Sequence, residues 1–145
     1  MTKNMFFKHL IAMVIELLIP SLPVIYSYFY KKLIIFEYLS FFEMLSIVYL
    51  VFSSIALIST KGNTIGYKLV KLVLVSTNNG EINLVKSCAR ILMISGFLFL
   101  VNNIDYTVFF IFLIMIIPIP INYKNKTIYS LLNRLLGLME TDLKT

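Results

Sequence analysis

Two long, almost uncharged stretches near the start of the chain limit most strongly what it can fold into. Residues 6–30 contain one lysine and one glutamate, and residues 33–60 contain two glutamates. A transmembrane helix needs about 20 mainly apolar residues, and both stretches exceed that length. The chain is 59% hydrophobic, above the roughly 45–50% apolar content of soluble domains. We therefore predict a single membrane domain, residues 1–145, and not a soluble enzyme.

The predicted fold class is an all-α membrane protein, a bundle of about four transmembrane helices. The predicted helices cover residues 6–29, 34–59, 84–101 and 106–121. The third is the weakest, because its uninterrupted apolar part, Ile91–Val101, is too short to cross the bilayer unless flanking basic side chains extend its reach. Residues 91–121 could instead form one interrupted span, and we prefer two.

The segment that joins the second and third predicted helices is polar and basic. Residues 60–90 hold five of the thirteen Lys and Arg residues. We predict a short amphipathic helical turn at Thr64–Leu72. Asn79-Gly80 is a strong tight-turn pair and predicts a small hairpin-like excursion, and Asn83 is suited to cap the next helix.

The distribution of basic residues predicts the orientation. With both termini in the cytoplasm, eleven of the thirteen bases are inside and only Lys31 and Lys32 are outside. The positive-inside rule favours this arrangement, which predicts a multi-pass protein of the cell membrane. The net charge of +6 is then expected to meet anionic lipid headgroups. No binding module or aromatic-basic platform for nucleic acid is visible in the sequence.

The end of the chain has a different apolar pattern. Between Ile128 and Met139 apolar residues recur at the i, i+3, i+4, i+7, i+8 and i+11 positions of one helical face. The other face carries polar side chains. This pattern predicts an amphipathic helix over about residues 127–140, which would lie on the membrane or dock against the bundle.

Glu16 is the most informative candidate functional residue. It lies ten residues into the first predicted helix, about 15 Å from its start and close to the bilayer centre. An unpaired, ionised carboxylate at that depth costs at least roughly 2.5–3.5 kcal/mol. The other intramembrane polar candidates are Lys8, His9, which is two turns earlier on the same face, and Glu43 of the second helix.

Two interpretations of Glu16 stay open. With Glu43 it could form a proton or cation site. Alternatively, Glu16 could be a packing residue that bonds a partner helix in the same or another subunit. We favour the second interpretation.

The sequence offers no catalytic or metal-binding pattern. The spacings of serine hydrolases, zinc metalloproteases and phosphate-binding loops do not occur. The single cysteine, Cys88, excludes an intramolecular disulfide and a cysteine-based zinc site. We predict no enzymatic activity, no metal and no cofactor.

The basic connecting segment also carries a family resemblance. Its T-I-G-Y-K-L-V-K-L-V-L-V run, glycine turn and following arginine resemble the central segment of the RDD family of membrane proteins. The residues that match the family pattern are Thr64, Gly66, Lys68, Leu69, Val73, Gly80 and Arg90. This segment is the most specific part of a resemblance that covers most of the chain.

The acidic positions that characterise the family are altered in this chain. Lys8 or His9 stands for an arginine near the start of the first helix, and Glu16 stands for the first aspartate. Ser130 replaces the second aspartate. The resemblance implies a multi-helix inner-membrane module for which solute or cation transport has been suggested in some members.

Two functions follow from these observations as hypotheses. The first is an accessory, binding or immunity-type module that acts with another membrane protein, with a membrane-active peptide or by self-association. The second is cation or proton-coupled transport through Glu16. The loss of an acid at Ser130 favours the first.

Overall fold

The computed structural model describes residues 2–30, 39–78, 81–101, 106–116, 118–122 and 127–142. Six helices and four strands occur in this part of the chain. The helices are α1 Thr2–Tyr30, α2 Phe41–Ser59, α3 Ile65–Leu69, α4 Leu84–Val101, α5 Tyr106–Ile116 and α6 Leu131–Leu135. The strands are β1 Leu72–Ser76, β2 Pro118–Asn122, β3 Thr127–Ser130 and β4 Leu138–Asp142.

Three of the described helices are long and apolar enough to cross a membrane. They are α2, α4 and the Phe6–Tyr30 part of α1. The 19 residues of α2 span about 28 Å at 1.5 Å per residue, close to the thickness of the hydrocarbon core. Large apolar side chains remain exposed on all three, with Ile58 of α2 at 79%. The chain is therefore a mainly helical membrane-type protein.

Helix α2 begins later than the sequence predicts. Ser40 is its N-cap, and Ser40 and Glu43 form a reciprocal capping box that satisfies two backbone donors at the helix start. The predicted start at residue 34 is wrong, because Leu39 and Ser40 are not helical. The carboxylate of Glu43 accepts from the backbone and side chain of Ser40, which explains its place in the first turn.

Helices α2 and α4 are joined by polar contacts in their apolar interface. The Ser46 hydroxyl donates to the Ser95 carbonyl at 2.8 Å, and the Ser95 hydroxyl donates to the Ser46 carbonyl at 3.2 Å. Both serines are buried. Small hydroxyl side chains allow helices to approach closely in membranes and bond across the interface.

The predicted fourth helix, 106–121, is shorter in the structure. Helix α5 has 11 residues, and residues 118–122 form strand β2, which pairs with β3. Pro118 and Pro120 cannot donate backbone hydrogen bonds, which weakens a helix here and favours its end before them. An 11-residue helix covers about 16 Å, roughly half the hydrocarbon core. A complete fourth crossing stays a prediction.

The amphipathic helix predicted over residues 127–140 is wrong. The segment contains strand β3, the single-turn helix α6 and strand β4. Ser130 caps α6, and Gly137 with φ 62° ends its last turn, a conformation that glycine adopts without steric cost. Strand β4 then pairs antiparallel with β1, with Val73 opposite Thr141. The sequence pattern missed this pairing because its partner strand lies more than sixty residues earlier.

The basic connecting segment packs against α1. Thr64 is the N-cap of α3, which ends at Leu69, earlier than the predicted helical turn at 64–72. Gly66 of α3 lies so close to α1 that a Cβ there would collide with the carbonyl oxygen of Ala12 and come within 2.7 Å of Glu16 Cγ. The predicted excursion at Asn79-Gly80 lies outside the described residues. Asn83 caps α4, since its Oδ1 accepts the Lys86 N–H at 3.1 Å.

Candidate functional site

Six buried polar side chains from five different elements meet beside the first half of α1. We call them the buried polar cluster, and they are His9 and Glu16 of α1, Tyr67 of α3, Arg90 of α4, Asn133 of α6 and Glu140 of β4. Each is at most 5% exposed. Because buried polar groups cost free energy unless they are paired, such a cluster must be bonded internally.

An ion pair between Arg90 and Glu16 joins α4 to α1. Arg90 Nη2 donates to Glu16 Oε2 at 3.0 Å, and Nη1 lies 3.5 Å from Oε1. Charge-assisted bonds of this two-pronged kind are the strong ones. The carboxylate at the predicted bilayer depth therefore has a partner, and the helix that supplies it is another crossing helix.

The remaining contacts of Arg90 satisfy the rest of its guanidinium. Its Nε donates to Asn133 Oδ1 at 3.0 Å, and Nη2 also lies 3.1 Å from the sulfur of Met13. The ring of Tyr67 lies below the guanidinium, with 5.0 Å between Cζ and the ring centroid. This is a cation–π contact, and it strengthens where water is excluded.

Glu140 holds the other end of the cluster. Asn133 Nδ2 donates to Glu140 Oε1 at 2.7 Å, and the Tyr67 hydroxyl donates to the same oxygen at 3.2 Å. The second oxygen, Oε2, lies 2.6 Å from His9 Nδ1, a close charge contact that lacks the alignment of a hydrogen bond. Asn133 therefore bonds both Glu140 and Arg90. Because Arg90 pairs with Glu16, the Glu16 and Glu140 carboxylates belong to one network.

Tyr67 and His9 complete the network. Burial, with the Glu140 carboxylate second, raises the pKa of Tyr67 above its ordinary value of 10.0, so its hydroxyl stays a donor. His9 Nε2 lies 3.4 Å from the carbonyl oxygen of Ile116, and Nδ1 lies 3.0 Å from the Tyr67 hydroxyl. The Tyr67 hydroxyl has one proton, so it can donate either to Glu140 Oε1 or to His9 Nδ1 when the tautomer leaves that nitrogen unprotonated.

A small cleft lies beside Glu16, between α1, α2 and the start of α3. About 10 Å³ of it is open to the centre of a water molecule, and Thr64 and Ser53 are among the polar residues that line it. The Thr64 hydroxyl is buried and has no hydrogen-bond partner in the described part of the chain. The cleft has room for about one water molecule, and it is too small for an organic substrate.

The structure separates the residues that the sequence singled out. His9, Glu16 and Arg90 meet in the buried polar cluster, and Gly66 packs directly against Glu16. Thr64 lines the cleft beside Glu16, whereas Glu43 caps α2 and does not join Glu16 in one seam. Lys8 is half-buried and Lys68 is exposed. Gly80 lies outside the described residues.

Three members of the cluster were missed from the sequence. Tyr67 and Asn133 carry no charge, and Glu140 fell on the polar face of the helix that was predicted there. A period-two pattern was the available signal, because Leu138 and Glu140 both face inward in β4 as strand geometry requires. Ser130, which stands where the second family acid is expected, caps α6 by accepting the Asn133 N–H at 3.1 Å.

The cluster has the chemistry of a structural or proton-holding network, and the described residues contain no group of His, Cys, Asp and Glu suited to a metal ion.

Compared with known proteins, residues 5–131 match the model of the RDD family. No curated protein and no solved structure matches the chain.

Proposed function

The chain belongs to the RDD family, and from that premise we propose that it is a non-enzymatic membrane protein with an accessory role. It would act as a binding or immunity-type module, in contact with another membrane protein or a membrane-active peptide. The observation that carries this proposal is the engagement of Glu16 by Arg90 at 3.0 Å inside the protein.

A paired carboxylate is poorly suited to carry a cation. To bind one, Glu16 would have to release the guanidinium of Arg90, which is 1% exposed. Separating a buried ion pair leaves an uncompensated charge and costs about 3–5 kcal/mol. The cleft next to Glu16 has room for about one water molecule, which is little space for a transported ion. An accessory module is therefore better supported than a transporter.

Ion flux in proteoliposomes tests the proposal. We expect purified protein to give no proton, sodium or potassium flux above that of protein-free vesicles. Flux that is present in the wild type and lost in Glu16→Gln would contradict the accessory role. An exposed-acid variant, Glu81→Gln, serves as the control for a general effect of charge removal.

Site-specific photo-crosslinking in native membranes tests the binding role directly. A crosslinking side chain at Ile58, 79% exposed, is expected to give a discrete adduct heavier than the protein alone. The matched control is the neighbouring Leu57, which is 3% exposed and faces the interior. Adducts to lipid alone from Ile58, and from further exposed positions on α1 and α4, would count against a protein or peptide partner.

Proton-coupled or cation transport is the second candidate. The observation that favours it is the contact of 2.6 Å between His9 and Glu140 within the same cluster as Glu16. A titratable pair in a buried network is a common element of proton relays. The flux experiment above distinguishes this function from the first, because only transport requires Glu16-dependent flux.

For the location of the chain we propose the cell membrane, with both termini in the cytoplasm. The support is the excess of bases in the segments that this orientation keeps inside. We replace Cys88 by serine and place a single cysteine at the exposed Asn78. A membrane-impermeant thiol reagent is expected to label it only in inverted vesicles, and labelling in intact cells would reverse the orientation.

A further inference from the structure

Three exposed lysines lie on the loop that follows α2. They are Lys61, Lys68 and Lys71, and we call the segment that carries them, residues 61–71, the lysine loop. Among the described residues none of the three takes part in an ion pair. The sequence contains no acidic residue from 44 to 80. Three exposed positive charges therefore lie within eleven residues, without an ion-pair partner in the described part of the chain.

A side-chain hydrogen bond closes the loop at its base. Asn63 Nδ2 donates to the Leu72 carbonyl at 2.7 Å and ties the end of the loop to its beginning. Within it, the backbone bonds from Lys68 to Thr64 and from Lys71 to Lys68 form the turn of α3.

Two of these lysines hold a backbone conformation that lysine rarely adopts. Lys61 has φ 55° and Lys71 has φ 59°, which is the left-handed region where glycine or asparagine costs less free energy. In the described residues they are the two non-glycine residues with positive φ. Each follows a helix end, with the Lys61 N–H bonded to the Ile58 carbonyl and the Lys71 N–H bonded to the Lys68 carbonyl, as in ordinary helix C-terminal caps. Glycine at either position would remove the charge and keep the turn.

The position of the loop identifies what the charges meet. Lys61 follows the end of α2 by two residues, so the loop starts where a membrane-length helix leaves the hydrocarbon core. Ile58 and Leu69 are 79% and 62% exposed beside it. Apolar side chains next to exposed lysines are typical of a surface at the lipid headgroup level.

We propose that the lysine loop binds the phosphate groups of anionic lipid headgroups at the edge of the bundle. Each base near a membrane surface contributes roughly a fivefold preference for anionic lipid. The ammonium groups bind the phosphates as point charges, while the exposed Leu69 contacts the acyl chains. The proposal does not depend on whether the protein is an accessory module or a transporter.

The test measures lipid selectivity in reconstituted protein. Spin-labelled phosphatidylglycerol and phosphatidylcholine report the relative association of each lipid with the protein. The wild type is expected to prefer phosphatidylglycerol severalfold. The triple variant Lys61→Gly, Lys68→Gln, Lys71→Gly is expected to lose most of that preference, and an unchanged preference would overturn the proposal.

Single substitutions separate charge from folding. Lys71→Gly is compared with Arg134→Gln, which removes an exposed base from α6. Lys71→Gly should lower the phosphatidylglycerol preference more than Arg134→Gln, and it should leave the melting temperature unchanged or a few degrees higher, because glycine relieves the strain. Equal effects of the two variants on lipid preference would overturn the proposal. If the triple variant fails to fold, Lys68→Gln, which keeps the backbone of α3, carries the same comparison.

Measurements with added sodium chloride or inorganic phosphate show whether the lysines bind lipid phosphate or the free anion. Sodium chloride should weaken the preference through screening, and inorganic phosphate at equal ionic strength should weaken it by the same factor. A stronger effect of inorganic phosphate would identify a site for the free anion and overturn the lipid proposal. A wild type without any phosphatidylglycerol preference would also overturn it and would favour an acidic protein partner for these lysines.

Discussion

Arg90 and Glu16 are 74 residues apart in the chain, and Arg90 Nη2 lies 3.0 Å from Glu16 Oε2. Each side chain is at most 3% exposed. The pair joins two membrane-length helices, and Asn133 extends it to the C-terminal α6–β4 segment. The ion pair therefore belongs to one buried network that links elements far apart in sequence.

Close packing of the connecting segment against α1 predicts the effect of a single methyl group. Gly66→Ala would bring its Cβ into the Ala12 carbonyl and the Glu16 side chain, so α3 must shift. We expect a loss of about 1–3 kcal/mol in the free energy of unfolding, measured by denaturant titration in detergent.

The control for this prediction is a glycine in open space. Gly96 of α4 has no heavy atom within 4 Å of a built Cβ, and alanine favours a helix by up to about 1 kcal/mol over glycine. Gly96→Ala is therefore expected to be neutral or stabilising. Equal destabilisation by the two substitutions would contradict the packing of α3 on α1.

The serine pair between α2 and α4 predicts a smaller effect. Ser46→Ala removes the 2.8 Å bond to the Ser95 carbonyl and the 2.9 Å contact with the Ser95 hydroxyl, and it keeps the bond from the Ser95 hydroxyl to the Ser46 carbonyl. Interhelical bonds of this type contribute about 0.6 kcal/mol on average and about 1.7 at most. Ser59→Ala removes a bond to its own helical turn at an exposed position, and we expect it to cost less than Ser46→Ala in the same unfolding measurement.

The pairing of β1 with β4 can be tested by disulfide formation. With Cys88 replaced by serine, Val73→Cys and Thr141→Cys are opposite each other in the register, at a separation that a disulfide fits. We expect rapid crosslinking under mild oxidation. The control pair, Val73→Cys with Leu135→Cys, joins β1 to the exposed face of α6 and should not crosslink. Crosslinking of the control pair without crosslinking of the Val73–Thr141 pair would contradict the pairing of β1 with β4.

The sequence predicted the local features well and the distant pairings poorly. Helix α4 occupies Leu84–Val101, the range that apolar length and the cap at Asn83 indicate. The C-terminal segment was predicted as a helix because its apolar spacing fits one face of a helix. Its strand β4 depends on β1, and a partner so far away leaves no periodic signal in the segment itself.

The same limit applies to the candidate site. Glu16 was recognisable because a carboxylate deep in an apolar helix needs a partner, and Arg90 was recognisable from the family pattern. The sequence did not reveal that they bond each other. Asn133 and Tyr67 could not be predicted, since a neutral amide or phenol in a single-turn helix has no charge or spacing that requires burial.

The measurement that tests the account most directly is a double-mutant cycle on the ion pair. Glu16→Gln and Arg90→Met each leave one charge buried without its partner, and each is expected to cost about 3–5 kcal/mol. The double variant removes both charges and should cost little more than either single change, which gives a coupling free energy of about 2 kcal/mol or more. Unfolding is followed in detergent, with the exposed Arg134→Gln as the control, which should change stability by less than about 0.5 kcal/mol. Additive costs, with a coupling near zero, would contradict the central role of the Glu16–Arg90 pair.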